Sequence, residues 1–148
     1  MRRNVKKIEA FWDSSALVPL CVDQGASALS KAALKDKSLA VWWGTPIEMM
    51  SAFTRLLRSR EISQADFRIA LTRLAELRRM WIEVQPTETV RLLAENLLQQ
   101  HSLRAADAVQ LAAALVWSNQ HPRKRVFVCF DGRLSEAAEK ENFTVRTV

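Results

Sequence analysis

The chain has 148 residues, enough for one domain that buries a real core, and 49% of them are hydrophobic. No apolar run approaches the length needed to span a bilayer, and the basic start, Met1 to Lys7, lacks the apolar core of a secretory signal and reads as a solubilising tail. The formal net charge of +6 favours an anionic partner, nucleic acid before membrane.

In chain order, Ile8 to Trp12 is a short apolar run expected to form a buried strand. Asp13 stands at its carboxyl end, and a helix is expected from Ser14 or Ser15. Gln24 to Lys35 carries Ala26, Leu29, Ala32 and Ala33 at helical spacing. Leu39 to Trp43 reads as the second strand. Thr45 as N-cap and Pro46 at the first helical position open the next helix, with Ile47, Met50, Phe53 and Leu57 expected on its packed face. Ser63 is expected to cap a further helix that buries Phe67, Ala70, Leu71, Leu74 and Leu77.

Trp81 to Val84 predicts a brief strand stopped at Pro86, and Thr87 to His101 a helix with Val90, Leu93, Leu97 and Leu98 inward. Leu103 to Trp117 is an Ala-rich helix, Val126 to Phe130 an apolar strand, Gly132 to Lys140 a helix and Phe143 to Val148 a last strand. No repeat, low-complexity tract or linker divides the chain, so one domain spans 1–148. Strands without polar alternation, separated by helices, imply a parallel sheet covered on both faces. The helices between Thr45 and Met80 form a hairpin beside it. Cys21 and Cys129 lie in apolar runs as small hydrophobes, giving neither a disulfide framework nor a zinc spacing, and point to a reducing cytoplasm.

Four acids fall at related places. Asp13 and Asp131 each end a strand, Glu48 lies in the first turn of the helix after the second strand, and Asp107 lies one turn into the Ala-rich helix. In an open α/β sheet, ligands bind outside the carboxyl ends of the strands. Each acid also has a local explanation: Asp13 and Asp131 as N-caps, Thr45-x-x-Glu48 as a capping box, Asp107 beside a helix dipole. Together they are harder to explain locally. At an effective dielectric near 20, each like-charged pair at about 4 Å costs roughly 4 kcal/mol, so such a cluster needs protons or cations. Oxygen-only ligands favour Mg²⁺ or Mn²⁺ over zinc, and metal-assisted phosphodiester hydrolysis follows from that setting.

Trp12-Asp13-Ser14-Ser15-Ala16-Leu17, Glu48 after a short strand, Leu103-Arg104-Ala105-Ala106-Asp107-Ala108 and Phe130-Asp131-Gly132-Arg133-Leu134 resemble the four motifs of the PIN domain, over nearly the whole chain. Their order and spacing are similar to those of the VapC-type toxins of toxin–antitoxin pairs. The resemblance implies a five-stranded parallel sheet in an α/β/α sandwich, with Asp13, Glu48, Asp107 and Asp131 around one metal site. It implies a Mg²⁺- or Mn²⁺-dependent endoribonuclease, usually a homodimer, held inactive by a small VapB-type antitoxin. Asp13 and Asp107 would be the principal metal ligands, with Glu48 and Asp131 bound directly or through water. Two positions depart from the pattern: Phe130 replaces a small hydroxyl residue before the fourth acid, and Asn142 replaces a Gly before the last strand.

Arg104 and Arg133, each near an acid in sequence, fit either a grip on substrate phosphates or a salt bridge to a site carboxylate. His101 and His121 have no part in this chemistry. A receiver domain would need an acidic pair at the first strand, and a haloacid-dehalogenase-type phosphatase an Asp where Ser15 stands. A non-catalytic RNA- or protein-binding module on the same fold, or a housekeeping RNA-processing nuclease, remains as the alternative.

Overall fold

A computed structural model describes residues 6–22 and 34–147. Five three-residue strands, β1 (Ala10–Trp12), β2 (Ala40–Trp42), β3 (Ile82–Val84), β4 (Val126–Val128) and β5 (Thr144–Arg146), form one sheet in the order β3-β2-β1-β4-β5. Every pairing is parallel, with Phe11 opposite Ala40 on one side and Phe127 on the other. The named helices are α1 (Ser14–Cys21), α2 (Thr45–Arg58), α3 (Gln64–Met80), α4 (Glu88–Gln100), α5 (Ala105–Trp117) and α6 (Gly132–Lys140).

The central strands β1 and β4 are buried at every position, which is why they read as unbroken apolar runs. Alternation then sorts their side chains between two cores. Ala10, Trp12, Val126 and Val128 point toward α1, α2 and α3, joining Leu17, Phe53 and Leu74. Phe11 and Phe127 point toward α4, α5 and α6, joining Leu97, Leu111 and Leu134, and their rings stack with centroids 5.7 Å apart. The molecule is thus the expected α/β/α sandwich, with α2 and α3 as a helical hairpin. Ser63 caps α3 in a full capping box with Asp66, worth about 1 kcal/mol.

Several local expectations are corrected. The strands are shorter than the apolar runs; Ile8 makes only an isolated bridge with Lys37. Thr45 does not cap α2. It is the first helical residue, fully buried, and Gly44 occupies the cap position without a side-chain hydrogen bond. The packed face of α2 runs through Thr45, Met49 and Phe53, while Ile47 and Met50 are exposed. Burying Thr45 turns the helix by about one residue, or 100°, from the face a hydrophobicity count selects. Leu98 is likewise exposed, because Val90, Ala94 and Leu97 already fill the seam against α5. The helix expected over Gln24 to Lys35 lies, apart from its last two residues, outside the described residues; those two are helical. Asn142 has φ of 74°, a left-handed conformation Asn tolerates better than most residues, so its replacement of Gly is absorbed.

Candidate active site

β1 and β4 are neighbours, yet the chain leaves them on opposite faces: α1 follows β1 onto one layer, and α6 follows β4 onto the other. The strand order reverses at this point, where a parallel sheet opens a crevice at its carboxyl edge. Asp13 and Asp131 flank that crevice. The amide of Asp13 donates to the carbonyl of Val128 at 3.0 Å, fixing the end of β1 against β4.

All four predicted acids line one cavity of about 320 Å³, together with Ser14, Ser15 and Arg55. Asp13 is almost fully buried. Its Oδ2 accepts hydrogen bonds from the Ser15 amide (3.1 Å) and the Ser15 hydroxyl (2.5 Å), so Asp13 is both the N-cap of α1 and a cavity wall. The Ser15 Oγ also accepts the Phe130 amide at 3.0 Å, joining the first and fourth motifs. Asp131 Oδ1 accepts from the Leu134 amide at 2.8 Å and caps α6. Capping and site-building are thus compatible roles here: a carboxylate held by one helix start is fixed in direction.

Glu48 is oriented differently. Gln110, buried one turn beyond Asp107 on α5, donates through Nε2 to Glu48 Oε2 at 2.6 Å and to Thr45 Oγ1 at 3.2 Å. The expected Thr45–Glu48 capping box is replaced by this interhelical bracket. Gln110 was not singled out by sequence reasoning. The available signal was a polar residue three positions after Asp107 in a run of Ala, Leu and Val, hence on the same helical face.

The electrostatics of three of the acids reflect burial and mutual repulsion. Burial raises the pKa of Asp13, Glu48 and Asp107, and neighbouring carboxylates add to each shift: Asp131 for Asp13; Asp13 and Asp107 for Glu48; Asp131 and Asp13 for Asp107. Hydrogen bonds from Ser15 to Asp13 and from Gln110 to Glu48 oppose the rise. Among the described residues, none of the four is in an ion pair. Behind the site, the Cys129 thiol lies 3.8 Å from Asp13 Oδ2 and accepts the Asp131 amide at 3.4 Å. Burial and the charge of Asp13 push its pKa up to about 12, so it stays a neutral thiol. Neither histidine lines the cavity; His101 sits at the end of α4 and meets Glu141 at 3.1 Å.

The donor set is all oxygen and all anionic, which suits a hard divalent cation. Among the described residues, no three Asp, Glu, His or Cys side chains stand close enough together to hold a metal ion as they are placed.

No family model matches the chain. It is 31% identical over 114 residues to Ribonuclease VapC45 of Mycobacterium tuberculosis (strain CDC 1551 / Oshkosh), covering 71% of this chain and 74% of that protein. The same identity and coverage relate it to Ribonuclease VapC49 of Mycobacterium tuberculosis (strain ATCC 25618 / H37Rv). The chain belongs to the VapC family of PIN-domain proteins. In this VapC-family chain all four motif acids are present and face one cavity.

Proposed function

We propose that this chain is a metal-dependent endoribonuclease, using Mg²⁺ or Mn²⁺, and the toxin of a type II toxin–antitoxin pair in the cytoplasm. The observation that carries the reading is the convergence of Asp13, Glu48, Asp107 and Asp131, from four separate elements, on one cavity, with none of them in an ion pair among the described residues. The relatives' names, both ribonucleases, supply the substrate class.

In this reading Asp13 and Asp107 are the principal ligands, with Glu48 and Asp131 contributing directly or through water. A divalent cation held there would lower the pKa of a water and stabilise charge on the scissile phosphate. The chain supplies the rest. Ser15 and the start of α1 hold the Asp13 carboxylate in one direction, and Gln110 holds that of Glu48. One of the carboxylates can also accept a proton from the attacking water. The partners in this reading are an RNA substrate, a VapB-type antitoxin that blocks the site, and a second copy of the chain.

Antitoxin-free wild type and Asp13→Asn are incubated with total RNA and purified tRNA in Mg²⁺, Mn²⁺ or EDTA. Discrete fragments are expected from wild type with metal and from neither control. Folded wild type that binds RNA but never cuts it would favour the non-catalytic binding module.

A further inference from the structure

A second cavity, of about 550 Å³, adjoins the carboxylate cavity and shares Arg55, Asp107 and Asp131 with it. Arg104 and Arg133 complete its charged lining. The three arginines come from three elements: Arg55 from the last turn of α2, Arg104 from the cap position of α5, and Arg133 from the first turn of α6. We propose that Arg55, Arg104 and Arg133 form a subsite for the phosphodiester backbone, gripping phosphates of a single-stranded RNA next to the one held at the carboxylates.

Two arginines occupy helix N-termini, where the dipole disfavours a cation. A structural role would make sense of that if each were paired with a site acid. Among the described residues neither is: the field of Arg104 reaches Asp107, but no ion pair forms at Arg55, Arg104 or Arg133. All three side chains are exposed. Exposed guanidiniums from three elements, lining one cavity and in no ion pair among the described residues, make a setting for an anion with several acceptor oxygens. Continuity with the carboxylate cavity selects the kind of anion. A nucleic-acid strand crossing the acids needs its charge matched on the flank, because four carboxylates repel every phosphate except one bridged by a cation. Arginine forks match phosphate oxygens in pairs and read no base, so the subsite contributes affinity and register, not sequence.

The inference rests on the ribonuclease reading, and the test separates the two. Binding of a labelled, mixed-sequence single-stranded RNA is measured in EDTA as a function of salt, for wild type, R55Q/R104Q/R133Q and the charge-matched R68Q/R78Q/R79Q, whose arginines are exposed on α3. Cleavage with Mg²⁺ is followed in parallel. Each phosphate contact on a single strand contributes about 0.7 to the slope of log affinity against log salt, so losing three flattens it by roughly 2 and weakens binding on the order of tenfold at low salt. In cleavage, the loss is expected mainly in KM. The α3 variant should track wild type. Equal weakening in both variants would reduce the effect to net charge and overturn the subsite. Wild type that cleaves RNA beside an unchanged site variant would also overturn it and leave the ribonuclease reading standing. An unchanged RNA slope with lost binding of a polyglutamate peptide would assign the arginines to an acidic protein segment instead. Wild type that neither binds nor cuts RNA would remove both readings.

Discussion

Gln110 Nε2 donates to Glu48 Oε2 across 2.6 Å, tying α5 to a residue 62 positions earlier on α2. The same nitrogen meets Thr45 Oγ1 at 3.2 Å, so one buried amide sets the angle between the helix carrying Asp107 and the helix carrying Glu48. Gln110→Leu keeps the volume and removes the bracket. The expected result is a fall in activity or metal affinity of about 10–100-fold, as for other residues that orient ligands. Thr45 is left without its donor, for a stability loss of about 1–3 kcal/mol. Denaturant melts and cleavage rates of the same preparation measure both. Unchanged cleavage would show that Glu48 needs no orientation.

Asp13, Glu48 and Asp107 make the metal-free fold less stable when ionised. Asp13, Glu48 and Asp107 have folded pKa values above their ordinary ones, so between the ordinary and the raised values the folded state binds more protons than the unfolded. Stability from these groups therefore falls as pH rises through that window, and the penalty is complete above the raised values. D13N/E48Q/D107N should melt above wild type at neutral pH in EDTA, with the difference vanishing below the ordinary carboxylate range. Asn at position 13 can still cap α1, so the comparison isolates charge. A variant less stable than wild type at neutral pH would contradict this account.

A divalent cation should reverse that penalty. Mg²⁺ at about 100 times its dissociation constant stabilises a protein that binds it only when folded by about 2.7 kcal/mol. The shift in Tm should be present in wild type and absent in Asp13→Asn and Asp107→Asn. Equal shifts in all three would place the ion elsewhere.

Ser15 links two motifs through one hydroxyl, donating to Asp13 and accepting from the Phe130 amide. Its hydrogen bonds lower the pKa of Asp13 against the rise from burial. In Ser15→Ala the hydroxyl's share of that restraint is lost while the backbone amide still donates, and the Asp13 pKa climbs further. The acid limb of the pH–rate profile should then move to higher pH, because a protonated carboxylate binds a cation poorly. A profile that drops in height without moving would assign Ser15 to packing alone.

The fold was legible where one local rule decided the outcome. Ser63 is a cap as read, because a cap is settled within four residues; Thr87, read as the first helical residue, caps its helix instead. The buried runs of β1 and β4 are strands because parallel strands covered on both faces need no polar alternation. Thr45, Ile47 and Met50 were misread because the rotation of α2 depends on what faces it. The partner that turns it, Gln110, is far away in sequence.

The sequence by itself determined the element order, the parallel sheet and four acids set at junctions whose spacing resembles the PIN motifs; these follow from periodicity, capping chemistry and residue type, which are local. Only the tertiary structure decided that the acids line one cavity, that Gln110 and Ser15 aim two of them, and that Arg55, Arg104 and Arg133 flank the site without pairing to it. Those relations join residues dozens of positions apart across the reversal between β1 and β4. Long-range geometry of that kind is produced by the packing of whole layers, and local sequence names at most the residues, as with Gln110 and Arg104, and not what they meet.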